Sequence, residues 1–118
     1  MAIRDNFKKG TVEIMVLSLL SQEDMYGYQL SQLIAERSQH SIEVPEGSLY
    51  PTLYRLLNNG YISDRRVQVG RRMTRIYYHI EPAGIERLKL LISEYLLFAD
   101  GLRNIISAAE GLFEEDIP

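Results

Sequence analysis

The chain has 118 residues, 46% of them apolar and 25% charged, which is enough for one globular domain with one core. It has no cysteine, which excludes a disulfide framework and a thiolate metal site. The net charge of −3 is unevenly spread: residues 1–80 carry ten Lys/Arg against eight Asp/Glu, residues 81–118 three against eight.

Arg4, Lys8 and Lys9 stand on a short polar arm. A buried helix is then expected from Thr11 to Gln22. Thr11 serves as N-cap, and Val12, Ile14, Met15, Val16, Leu17, Leu19 and Leu20 make it apolar almost all round. After a polar break from Ser21 to Met25, a second helix is expected from about Tyr26 to Ser38, with Leu30, Leu33 and Ile34 as its apolar stripe. Gln39 to Pro45 reads as a connector with room for a short strand at Ile42 to Val44. The third helix lies between about Ser48 and Asn59, where Leu49, Leu53, Leu56 and Leu57 fall at helical spacing. Pro51 is expected in its first turn, which puts the start near Gly47 or Ser48, and Gly60 stops it.

The period then changes to two. Tyr61 to Val67 can pair with Thr74 to Ile80 as an antiparallel hairpin, with Gly70 in the tip from Gln68 to Met73. Arg65, Arg66, Arg71, Arg72 and Arg75 fall within eleven residues that hold no acid, so one face can attract phosphate although the chain is acidic. The last helix starts near Pro82 and is expected to run to about residue 110. Its apolar residues Ile85, Leu88, Ile92, Tyr95, Ala99, Leu102, Ile106, Ala109 and Phe113 step by three and four, a heptad seam. The seam is too long for a small helical core to cover, so a second copy of the chain is expected against it. The tail Glu114, Glu115 and Asp116 reads as solvated.

On the third helix the leucine stripe faces inward. Pro51, Tyr54, Arg55 and Asn58 lie opposite, with Ser48, Tyr50 and Thr52 on the flanks. This face has many hydrogen-bonding groups and no carboxylate after Glu46, which suits a major groove. Sideways packing of Tyr50 and Tyr54 onto the neighbouring helix and hairpin is the competing reading. Arg71, Arg72 and Arg75 suit phosphate or minor-groove contact. Arg65 and Arg66 are candidates for pairing with Asp64 or the acidic tail. Tyr26, Lys8 and Lys9 are further expected DNA contacts. Leu88, Ile92, Tyr95, Leu102, Ile106 and Phe113 are expected at the dimer interface. Tyr95, Phe98, Ala99 and Asp100 could leave an effector pocket between subunits, though plain interface packing is the preferred reading. No nucleophile, phosphate-loop or dinucleotide motif is present, and His40 and His79 lack metal-ligand neighbours, so no enzyme, cofactor or metal is expected.

The segments Tyr26-Gly27-Tyr28-Gln29-Leu30, Gly47-Ser48-Leu49-Tyr50-Pro51-Thr52-Leu53-Tyr54-Arg55-Leu56, Asn59-Gly60-Tyr61-Ile62 and Arg75-Ile76-Tyr77-Tyr78 resemble the short form of the PadR family of transcription regulators. The resemblance covers roughly Lys9 to Leu88, and the run from Gly47 to Leu56 is its most specific part. It implies a homodimer that binds operator DNA, usually as a repressor, and often releases it when a small molecule binds. It also implies groove or phosphate contacts at Ser48, Tyr50, Pro51, Tyr54 and Arg55, and wing contacts at Arg71, Arg72 and Arg75. Two features depart from the pattern. Glu81-Pro82-Ala83-Gly84 replaces the usual Thr-x-x-Gly. The terminal-helix tryptophan of multidrug-binding members is absent, Tyr95 being the nearest aromatic.

The expected fold is therefore mainly α with a small β-hairpin wing: a winged helix-turn-helix over residues 1–81, then a C-terminal dimerisation helix and acidic tail over 82–118, forming one compact unit. The expected function is a cytoplasmic, sequence-specific DNA-binding regulator. It would act as a repressor and homodimer on a palindromic double-stranded operator, with a small hydrophobic or aromatic effector as a further partner and no membrane. The alternative is a helical dimeric protein-interaction module without DNA binding.

Overall fold

The computed structural model describes residues 10–112. Lys8, Lys9, Phe113 and the acidic tail lie outside the described residues. In chain order the elements are α1 (Val12–Leu20), β1 (Met25–Tyr26), α2 (Gly27–Arg37), α3 (Glu46–Asn58), β2 (Ile62–Val69), β3 (Met73–Ile80) and α4 (Pro82–Ile106), the last followed by a 3₁₀ turn at Ser107–Ala109. The chain divides into two compact units, one running to Leu88 and the other starting at Lys89.

In the first unit the three helices and the sheet close over Val16, Leu17, Leu20, Met25, Leu30, Leu49, Leu53, Leu56, Ile62, Tyr78 and Ile80, all buried. Burial on α3 recurs at Leu49, Thr52, Leu53 and Leu56, the spacing of one helical face. Its end is a Schellman turn. Tyr61 N–H donates to the Leu56 carbonyl and Gly60 N–H to that of Leu57, with Gly60 at φ +73°. The sheet has the order β1-β3-β2 and is antiparallel throughout. Met25 stands opposite Tyr78, and Ile62 opposite Ile80, on the core side. The row Tyr26, Tyr77, Arg65 crosses all three strands on the outer side.

Three local expectations need correction. The short strand at Ile42 to Val44 does not form. Gln39 and His40 leave α2 with positive φ, and side chains serve the next backbone groups: Ser38 Oγ accepts from Ile42 N–H, and Ser31 Oγ donates to the Val44 carbonyl at 2.7 Å. A strand forms instead at Met25–Tyr26, too short for a period-two pattern to reveal. Pro51 is not in the first turn, because α3 starts at Glu46. The missing N–H deprives the Gly47 carbonyl of its helical partner, a loss water can offset because Gly47 and Pro51 are exposed.

The first turns of α4 belong to this first unit: Gly84 and Leu88, one turn apart, are both buried. Leu88 is only 7% exposed within its own chain, so it is a core residue rather than a seam residue. The dimer seam read from the sequence therefore begins too early. In the second unit α4 carries Leu90, Ile92, Tyr95, Leu96, Leu97, Phe98, Leu102, Ile105 and Ile106, all exposed, Leu97 by 76%. The α-helix ends at Ile106, short of the expected residue 110.

Candidate nucleic-acid interface

The outward face of α3 carries Ser48, Pro51, Tyr54, Arg55 and Asn58, all exposed. Tyr54 is 59% exposed, but Tyr50 is only half so. The two rings lie 6.4 Å apart, tilted by 36°. The Tyr50 hydroxyl packs against the start of α2, where a Cβ on Gly27 would come within 2.7 Å of it. Gly27 thus leaves the space that Tyr50 fills, linking two of the sequence segments singled out above. Tyr50 takes the sideways position and Tyr54 the outward one. Thr52 leaves the predicted contact set: it is buried, and its Oγ1 donates to the Ser48 carbonyl at 3.3 Å.

Arg55 is anchored from below. Its Nη2 donates to Glu13 Oε1 at 3.3 Å, and Arg87 Nε donates to Glu13 Oε2 at 2.8 Å. Burial works to raise the Glu13 pKa, but the hydrogen bonds and charges of Arg87, then Arg55, outweigh it and leave the carboxyl below its ordinary value of 4.5. Stability from this pairing is complete above that pH and is lost as acid takes the solution through the lower folded-state value. Thermal melts from pH 7 to pH 3 should therefore show a flatter acid limb for Glu13→Gln than for the wild type. Parallel limbs would remove the pairing from the acid response. The sequence carried one sign of this residue, a lone carboxylate in a helix otherwise apolar almost all round.

Arg71 and Arg72 are exposed at the hairpin tip, where Gly70 turns the chain at φ +74°. Arg75 is half-buried, its guanidinium 4.3 Å from the centre of the Tyr26 ring, and that ring meets Tyr77 edge-on at 5.5 Å. Tyr26 and Arg75 therefore tie the return strand to the start of α2. Arg65 stacks on Tyr77 at 5.5 Å and pairs with Asp24. Asp64 is not its partner, because it points to the opposite side of the sheet; the acidic tail lies outside the described residues. Asp24 also meets His79 Nδ1 at 2.7 Å. The His79 hydrogen bond is the main reason its carboxyl lies below the ordinary range; burial opposes this and Arg65 adds to it. Sequence reasoning passed over Asp24 as part of a polar break. Tyr78, buried beneath the α3 tyrosines, has its pKa pushed up to about 12, first by burial and then by the proximity of Tyr50, Asp64 and Tyr54.

Of the predicted interface residues, Ile92, Tyr95, Leu102 and Ile106 are exposed in the single chain. In the proposed pocket set, Tyr95, Phe98 and Asp100 are exposed and Ala99 half-buried, so one chain alone leaves them on the surface of α4. Among the described residues no His, Asp and Glu side chains gather to hold a metal ion, and no helix is long and apolar enough to cross a membrane.

The family model described as transcriptional regulator PadR-like matches residues 16–90. A transcriptional regulator from Clostridium thermocellum has a similar structure, with a TM-score of 0.80 at 31% identity, over 86% of this chain and 98% of that one. A PadR-like transcriptional regulator from Bacillus cereus gives 0.73 at 30% identity, over 86% and 96%. Transcriptional regulator Rv3488 of Mycobacterium tuberculosis is 37% identical over 79 residues, 66% of this chain and 69% of that protein.

Proposed function

Because this chain belongs to the PadR-like family of transcriptional regulators, we propose that it binds a palindromic double-stranded DNA operator as a homodimer and acts there as a repressor. Members of the family are transcriptional regulators rather than enzymes. The observation that carries the reading is the outward face of α3, where Tyr54 and Arg55 are exposed and no carboxylate follows Glu46. Such a face can enter a phosphate-lined groove without repulsion and offers donors to base edges. The exposed Arg71 and Arg72 suit the adjacent backbone, and Arg75 braces the strand that carries them. The protein works in the cytoplasm. Tyr95, Phe98, Ala99 and Asp100 pack between the two copies, and a small hydrophobic or aromatic effector that releases the DNA would have to enter there.

Selection of 30-bp duplexes from a randomised pool at low salt tests the reading. Enrichment of a palindromic sequence supports it. A pool that returns unenriched, with no retention of duplex, overturns it in favour of a protein-interaction module.

Positioning and reading should separate in variants. Arg71→Ala and Arg72→Ala should weaken selected and shuffled duplexes alike and reduce the slope of log affinity against log salt by about 0.9 for each phosphate no longer neutralised. Tyr54→Ala and Arg55→Ala should also erode the preference between the two duplexes, by roughly 1–3 kcal/mol per base contact. Identical behaviour of the two groups of variants in a fluorescence titration would mean the roles are misassigned.

A further inference from the structure

We propose that Glu13, which on this reading touches no DNA, is a positioning residue for sequence discrimination: it aims Arg55. The proposal rests on α3 as the DNA-reading element. Glu13 is a carboxylate whose side chain is only 10% exposed. A charge so placed must be paired. Arg87 meets most of that need, donating Nε to Oε2 at 2.8 Å and reaching Oε1 through Nη2 at 3.5 Å. Arg55 adds one longer bond to Oε1, at 3.3 Å, from a side chain that is 54% exposed. A single long bond at a half-exposed site adds little stability. Its consequence is orientation. It holds one corner of a planar guanidinium on a side chain that is still more than half exposed.

The two effects of Glu13 on DNA have opposite signs. Its negative charge beside Arg55 subtracts from the attraction to any phosphate. Its hold on the guanidinium removes part of the ordering cost of a base contact, which benefits only the correct sequence. Together they raise discrimination while lowering indiscriminate affinity. A residue needed only for folding would change both affinities in the same direction.

Glu13→Gln keeps the shape and removes the charge. The probes are a 30-bp duplex enriched by the wild type from the randomised pool and a shuffled duplex of the same composition. The shuffled duplex should bind about twofold tighter and the selected one more weakly, so that their affinity ratio falls roughly tenfold. In an Arg55→Ala background the same substitution should leave the ratio unchanged within about twofold. Should Glu13→Gln fail to fold, Glu13→Leu with Arg87→Leu replaces the ion pair by apolar contact, and the same drop in ratio is expected. Parallel weakening on both duplexes, or a ratio change that persists without Arg55, overturns the proposal. A wild type that enriches no duplex overturns the reading of α3 itself, and this is seen before any variant is made.

Discussion

Replacing Gly84 by alanine is expected to lower folding stability by about 3 kcal/mol, although alanine is the better helix former. A Cβ at Gly84 would stand 2.1 Å from the Tyr61 carbonyl oxygen and 2.9 Å from Ile80 Cγ1. The carbonyl is backbone and cannot swing aside. It is held by Glu81 N–H at 2.9 Å and follows directly on the Schellman turn that ends α3. Relief must come from moving the start of α4 off the sheet, which also withdraws Leu88 from the core. For a domain of this size the melting temperature should fall by roughly 10–20 °C. Gly47→Ala, where an added Cβ meets nothing within 4 Å, is the control, and it should be neutral or stabilising by up to about 1 kcal/mol. Equal melting temperatures for Gly84→Ala and the wild type would show that the close approach is not what fixes α4.

Leu102→Asp with Ile106→Asp should abolish the proposed dimer. In a twofold pair the two substitutions place four carboxylates in an apolar seam, and burying one unpaired charge already costs several kcal/mol. Both residues are exposed in the single chain, Leu102 by 45% and Ile106 by 47%, so the folded first unit should survive and melt as before. What should disappear is the joint engagement of two successive major grooves, about 34 Å apart. Binding to a palindromic duplex should fall far more than binding to a half-site, and light scattering should report half the mass. A wild type that is monomeric at micromolar concentration would refute both the interface and the half-site geometry.

The order of the four helices and the hairpin was legible from periodicity together with the proline and glycine signals at their ends. Apolar spacing of three and four marked the helices, and alternation from Arg75 to Ile80 marked the return strand. What remained hidden was short or non-local. A two-residue strand has no period. The start of α3 lay further from Pro51 than helix rules suggest, because an exposed proline costs less than a buried one. The candidate interface was legible as a set of exposed groups, Tyr54, Arg55, Arg71 and Arg72. Its supports were not. The partners of Arg55 and Arg65 are Glu13 and Asp24, each about forty residues away in the chain. Thr52 was read as a flank of the outer face and Leu88 as part of the heptad seam; both are buried in their own chain, and spacing alone cannot tell which apolar neighbour covers a stripe.

Burial fades along the hairpin: Ile80 and Tyr78 are inside, Ile76 is 41% exposed and Met73 at the far end 56%. The residues between Val69 and Met73 are therefore nearly free of the constraints that the core imposes. Apart from Gly70, whose φ of +74° disfavours any other residue, substitution, lengthening or a change of charge at the tip should leave the melting temperature almost untouched while altering how strongly the protein is drawn to a polyanion. Mutation can thus explore this stretch at little risk to folding, and closely related chains can diverge there first.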